Sequence, residues 1–227
     1  MRNTRSLLIA VTVLLVAAAM LGPGASSAWA GMQLFETWGP GNYGGEFWCN
    51  SVGSPPIPYV TGVKPPGYQF IAFCCETGAG HEIGNNVTAN VEITTWADGA
   101  APDPLDAKTA YLFHQFNWGA LPGYRYGGTY AERTSDADQL QFAMWYIEQE
   151  PGYGLPAPGT KARTWYDAAV AAGWTDIGQV RVLHLTNAQG AGLQDMIFEQ
   201  VPEPGTLAFL SFGMMGALPF LRRRKRA

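Results

Sequence analysis

The apolar and polar positions of this 227-residue chain change pattern several times along its length. Two continuous apolar runs stand at the ends, Leu7 to Leu21 and Thr206 to Leu221, and shorter alternating or helical patterns lie between them. Tyr68 to Glu76 is short, aromatic and apolar, with Gly78 and Gly80 beyond it, and predicts a buried strand. Asn86 to Trp96 alternates and is β-branched, a second strand. Asp103-Pro104 offers an N-cap followed by Pro at the first helical position, opening a helix through Leu112, Phe113 and Phe116 that stops near Gly119. Residues 120–130 are a Gly- and Tyr-rich loop.

A second helix is expected from Ser135, with Asp138 at the capping-box position. It carries Ala137, Leu140, Met144 and Ile147 on one face and ends before Pro151. A third runs from Lys161 to Ala172 and is closed by Gly173. Gln179 to Leu185 alternates as a strand, and Asp195 to Val201 forms the last one. Gly31 to Pro66, rich in Gly, Pro and Trp, reads as irregular structure with one or two edge strands. Strands, then helices, then strands predict an α+β fold: a single compact domain with a mainly antiparallel sheet and two or three helices, flanked by N- and C-terminal targeting helices.

The ends have the organisation of addresses. Arg2 and Arg5 precede the first apolar run, and Ala28-Trp29-Ala30 has the small-x-small form of a signal-peptidase site, so residues 1–30 are expected to be a signal peptide. At the other end, the triplet Pro202-Glu203-Pro204 is followed by the apolar run and then by Arg222, Arg223, Arg224, Lys225 and Arg226. These three parts, in this order, resemble the PEP-CTERM sorting signal. The resemblance implies recognition by an exosortase, residues 201–227 as the signal, transient anchoring in the inner membrane of a Gram-negative bacterium, and delivery to the cell surface or extracellular matrix. At about 1.5 Å per residue, Thr206 to Leu221 spans roughly 24 Å, short of the ~30 Å hydrocarbon core, and Pro219 weakens its last turn. That suits a passing segment better than a permanent anchor.

Removing the ends changes the charge. Seven of the 14 Lys and Arg residues lie there, against one of the 18 Asp and Glu residues, so residues 31–200 carry a net charge near −10 rather than the −4 of the whole chain. An acidic domain argues against nucleic-acid or anionic-membrane partners. Three widely separated histidines, His81, His114 and His184, have no metal-ligand spacing, and capping explains Asp103 better than a calcium loop with Asp98 and Asp106. No cofactor or metal is expected. Glu148 and Glu150 read as a solvated helix end, and no hydrolase or nucleotide fingerprint is present, so the chain is not expected to be an enzyme.

Two segments carry candidate chemistry: Phe73-Cys74-Cys75-Glu76 and Leu140-Gln141-Phe142-Ala143-Met144-Trp145. Together they resemble the thioester domains of bacterial surface adhesins, in which a strand Cys bonds to a helix Gln. The resemblance implies a Cys74–Gln141 thioester that captures an amine-bearing surface or matrix ligand. The ordered set formed by Phe73-Cys74-x-Glu76, Asp103-Pro104-Leu105, Thr109-Ala110-Tyr111-Leu112, Leu140 to Glu148, Val180 to Leu183, Gln194-Asp195 and Pro202-Glu203-Pro204 also looks like that of a family of exported PEP-CTERM proteins.

Alternation puts Cys74 on one strand face with Phe70 and Ala72, and Cys75 on the other with Ile71 and Phe73. The competing expectation is structural. Three cysteines in an exported chain fit one disulfide and one spare thiol. Cys49 with Cys75 would leave Cys74 available, Cys49 with Cys74 would not, and Gln141 would then only satisfy a buried backbone group. In that case the chain is a non-covalent matrix protein.

Overall fold

The computed structural model describes residues 32–42, 45–60, 62–64, 66–77, 85–98 and 102–201. Six antiparallel strands close into a barrel in the order β1 (Gln33–Trp38), β2 (Gly45–Ser51), β3 (Phe70–Cys74), β8 (Met196–Glu199), β7 (Val180–Thr186), β4 (Asn85–Thr94), with β4 returning to β1. A small ribbon of β5 (Trp96–Asp98) and β6 (Pro102–Pro104) and three helices, α1 (Ala107–Asn117), α2 (Tyr130–Ile147) and α3 (Lys161–Ala172), complete the α+β domain.

Alternate residues of every strand fill the barrel. Leu34, Phe47, Cys49, Phe70, Ala72, Cys74, Ala89, Val91, Leu183, Leu185, Met196 and Phe198 form one cluster, which Trp145 of α2 joins. The opposite faces of β3, β7 and β8 present Ile71, Phe73, Cys75, Val180, Val182 and Ile197 to the helices. β3 is therefore covered on both sides and all five of its residues are buried. This is why its sequence is a continuous apolar run rather than an alternating one.

Several expectations shift in register. β1 and β2 are full members of the barrel and not edge strands, each hydrogen-bonded on both sides. Asp103 does not cap a helix; it lies in β6 opposite Ala97. Asp106 is the N-cap of α1, accepting from the Lys108 N–H at 2.7 Å. α2 begins five residues before Ser135, because Thr129 and Glu132 form a complete capping box. Its first turn is exposed, so no apolar periodicity announces it. The face Ala137, Leu140, Met144, Ile147 is buried as expected, and Gly173, at φ +64°, ends α3 in the left-handed region.

A buried ion pair locks α2 to the barrel. Glu46, fully buried where the β2–β3 register shifts, receives Arg133 Nε and Nη2 at 2.8 Å each and the Tyr124 hydroxyl. Arg133 also donates to the Tyr126 carbonyl at 3.0 Å. Burial and the Glu46 carboxylate push the Tyr124 phenol far above its ordinary range. Removing one partner strands the other charge. Arg133→Ala should lower unfolding free energy by about 3–5 kcal/mol in urea titrations, with little change in slope.

Candidate functional site

β3 and α2 meet at Cys74 and Gln141, both fully buried. The contact is reciprocal: the Cys74 N–H donates to Gln141 Oε1 at 3.2 Å, and Gln141 Nε2 donates to the Cys74 carbonyl at 2.9 Å. Strand geometry explains why these groups are available. The Cys75 N–H points toward β8 and donates to the Asp195 carbonyl at 2.9 Å. The N–H and C=O of Cys74 therefore point the other way, toward β2, whose ladder reaches its first residue, Gly45, opposite Phe73. Gln141 supplies from a helix the donor and acceptor that one more strand residue would have offered. Its amide orientation follows from the partners, since only oxygen can accept from the N–H and only nitrogen can donate to the carbonyl.

The surroundings are apolar. Cys74 belongs to the barrel cluster, and Trp145, one helical turn beyond Gln141, enters the same cluster. Phe142, Trp145 and Tyr153 pack together, with ring centroids 4.5 to 6.3 Å apart. A cavity of about 260 Å³ is lined by Phe142 and Tyr153 together with Gln139, Pro156, Ala157 and Thr160 among others. Gln139, which points elsewhere, accepts from the Ala162 N–H at 3.4 Å and ties α2 to α3.

Cys49, Cys74 and Cys75 are all buried and no disulfide joins them. Cys49 and Cys75 face opposite sides of the sheet, one in the barrel and one under the helices, so a bridge between them would have to cross the strand layer. Burial, then the Asp195 and Glu148 carboxylates, hold the Cys75 thiol well above its ordinary range, which keeps it protonated and unreactive.

Buried carboxylates form further clusters that the sequence does not announce. Asp136 takes Arg125 at Nε and Nη2 and Lys161 Nζ, at 2.7 to 2.9 Å, and these bonds hold its carboxyl below the usual range against the opposing effect of burial. Glu199 receives His114 Nδ1 at 2.8 Å, Asn117 Nδ2 at 2.9 Å and Trp118 Nε1 at 3.1 Å. Asp195 meets His184 Nδ1 at 2.9 Å. His81 lies outside the described residues. Among the described residues no group of three His, Cys, Asp or Glu side chains has the arrangement to hold a metal ion.

Glu148 and Glu150 are not a solvated helix end. Glu150 accepts from both the N–H and hydroxyl of Thr77 at 2.7 Å, and Glu148 accepts from the Asp106 N–H at 3.3 Å. Both carboxylates hold loops against α2, and burial pushes Glu148 up to about 7.

Residues 200–226 match the PEP-CTERM protein-sorting motif. The motif indicates an exported protein, sorted to the cell surface by an exosortase. The matched segment beyond Val201 lies outside the described residues, as do the signal-peptidase site at Ala28 and Ala30, Pro202-Glu203-Pro204, the apolar run and the basic tail Arg222 to Arg226. Among the described residues no helix is long and apolar enough to cross a membrane. No curated protein and no solved structure matches this chain at a significant level, so the likeness to thioester adhesin domains draws no support from these comparisons.

Two outcomes follow from this geometry. Gln141→Ala leaves two buried backbone groups of Cys74 unmet and should cost about 2–5 kcal/mol of stability, read by urea unfolding. Glu148 titrates near 7 when folded, above its ordinary 4.5. The fold favours its protonated form, so its contribution is fully present below about pH 4.5 and is lost as pH rises through about 7. Glu148→Gln should flatten that part of the stability–pH curve and gain roughly 2–3 kcal/mol at pH 8.

Proposed function

We propose that this protein is a surface or extracellular-matrix module of a Gram-negative bacterium, anchored transiently in the inner membrane and released by exosortase processing. Its 31–200 domain acts as an adhesin-like unit that captures an amine on a surface or matrix partner through a Cys74–Gln141 thioester. The observation that carries this reading is the fixed Gln141 amide on Cys74, in a site without solvent exposure.

The chemistry balances without a cofactor. Cys74 Sγ attacks Gln141 Cδ, the C–N bond breaks, and ammonia leaves with the thiol proton. The Cys74 N–H already donates to Oε1, where negative charge develops, and the contact orients the amide before reaction. The aromatic packing of Phe142, Trp145 and Tyr153 excludes water that would hydrolyse the product. An incoming amine then takes the acyl group and restores the thiol. The chain is consumed rather than turned over, so it is not an enzyme in this reading.

A second reading rests on the same contact. Both amide groups of Gln141 are satisfied by the Cys74 backbone, which suffices for a structural role in a non-covalent matrix protein. Intact mass separates the two. The mature protein collected from the cell surface is expected to weigh one ammonia less than its sequence and to gain one methylamine on treatment. Full mass with no adduct sinks the thioester and leaves the structural role.

A further inference from the structure

We propose that the outer face of α1 carrying Tyr111, His114 and Trp118, with Trp174 beside it, is a binding site for a neutral polysaccharide. Tyr111 and His114 of α1 and its C-cap Trp118 follow at i, i+3 and i+7 and so form one stripe, about 10 Å long. Trp174, in the loop after α3, lies across it with ring centroids 5.4 Å from both Tyr111 and His114, and the His114 and Trp118 rings are 6.1 Å apart.

Trp118 is 58% exposed, among the most exposed large apolar side chains of the described residues. An indole with no purpose at the surface is free to rotate. This one is fixed, because its Nε1 donates to the buried Glu199 carboxylate at 3.1 Å, which Asn117 and His114 also engage. Glu199 is in turn held by its place in β8. The ring is therefore presented in one orientation before any ligand arrives, which lowers the entropy lost on binding.

The occupant follows from the chemistry of the face. The Glu199 carboxylate beneath it is buried and bonded to three donors, and the Asp106 carboxylate at the N-cap of α1 is paired with Lys108 at 2.7 Å. What reaches solvent is aromatic, with imidazole and phenol groups as hydrogen-bonding edges. The whole domain is strongly acidic, so it repels polyanions. A ligand with flat apolar faces, many hydroxyls and no charge fits these terms: a chain of neutral hexoses, stacking on Trp118 and bonding at His114 Nε2. The site is independent of Cys74 and Gln141.

The test uses the exported chain, purified from the expressing cells, on an array carrying neutral hexose oligosaccharides and uronic-acid oligosaccharides. Binding to members of the neutral set is expected, with little to the uronic set. Trp118→Ala should weaken it at least about tenfold when assayed below its own melting temperature, in protein whose circular dichroism matches the wild type, and Trp118→Phe, which keeps the ring but not the N–H, should fall between. The proposal is overturned if no neutral oligosaccharide binds, if uronic acids are preferred, or if Trp118→Ala binds as the wild type does. It is equally overturned if sedimentation shows wild-type self-association that Trp118→Ala abolishes, since a second copy would then cover this face.

Discussion

Closing a small barrel leaves no strand edge for water to satisfy, and the end of β3 is where that constraint is sharpest. β3 is covered by the barrel interior on one face and by the helices on the other, and β2 gives out opposite Phe73. The N–H and C=O of Cys74 must be met from somewhere, and a buried backbone pair left unmet costs several kcal/mol. Gln141 meets both. In doing so it fixes the register of α2 along the sheet, which places Trp145 in the barrel and Leu140 and Met144 in the helical core. One side-chain amide thus joins the two halves of the hydrophobic interior.

The rest of the helical layer is tied down by buried carboxylates, each saturated with donors from a different element. Glu46 of β2 holds Arg133 of α2, Asp136 of α2 holds Arg125 and Lys161, and Glu199 of β8 holds α1 through His114 and Asn117. The acidic groups of the domain are therefore partly internal. Three of its acidic side chains serve packing, but Arg133, Arg125 and Lys161 are engaged with them, so the net excess of about −10 stays with the remaining groups. Each pair is worth little in itself, since desolvation offsets attraction, but each is costly to break and so specifies one docking of helix on barrel.

What the sequence discloses follows from how locally each feature is encoded. β3, β4, β7 and α3 are legible because apolar runs, β-branched alternation, a Thr cap and Gly173 all lie within the element. β1 and β2 are obscured because Gly39, Pro40 and Gly41 surround them and their pairing partners β4 and β3 are distant in sequence. The start of α2 is missed because its first turn faces solvent, although Thr129 and Glu132 mark it. Cys74 and Gln141 are legible as a pair only through resemblance. The carboxylate networks are invisible, since nothing near Glu46 or Glu199 in the chain distinguishes a buried acid from a solvated one.

The direction of β8 sets how these parts sit relative to the sorting signal. Met196, at the start of β8, lies opposite Cys74, and the chain leaves after Val201, whose N–H is tied to the Pro58 carbonyl. Five residues of extended chain separate the two ends by roughly 17 Å. The Cys74–Gln141 contact thus lies at the barrel end away from Val201. Glu199 and Trp118 lie at the end from which the tail departs. The Cys74–Gln141 contact and the Glu199–Trp118 cluster are thus set at opposite ends of β8, with the strand's own buried residues between them.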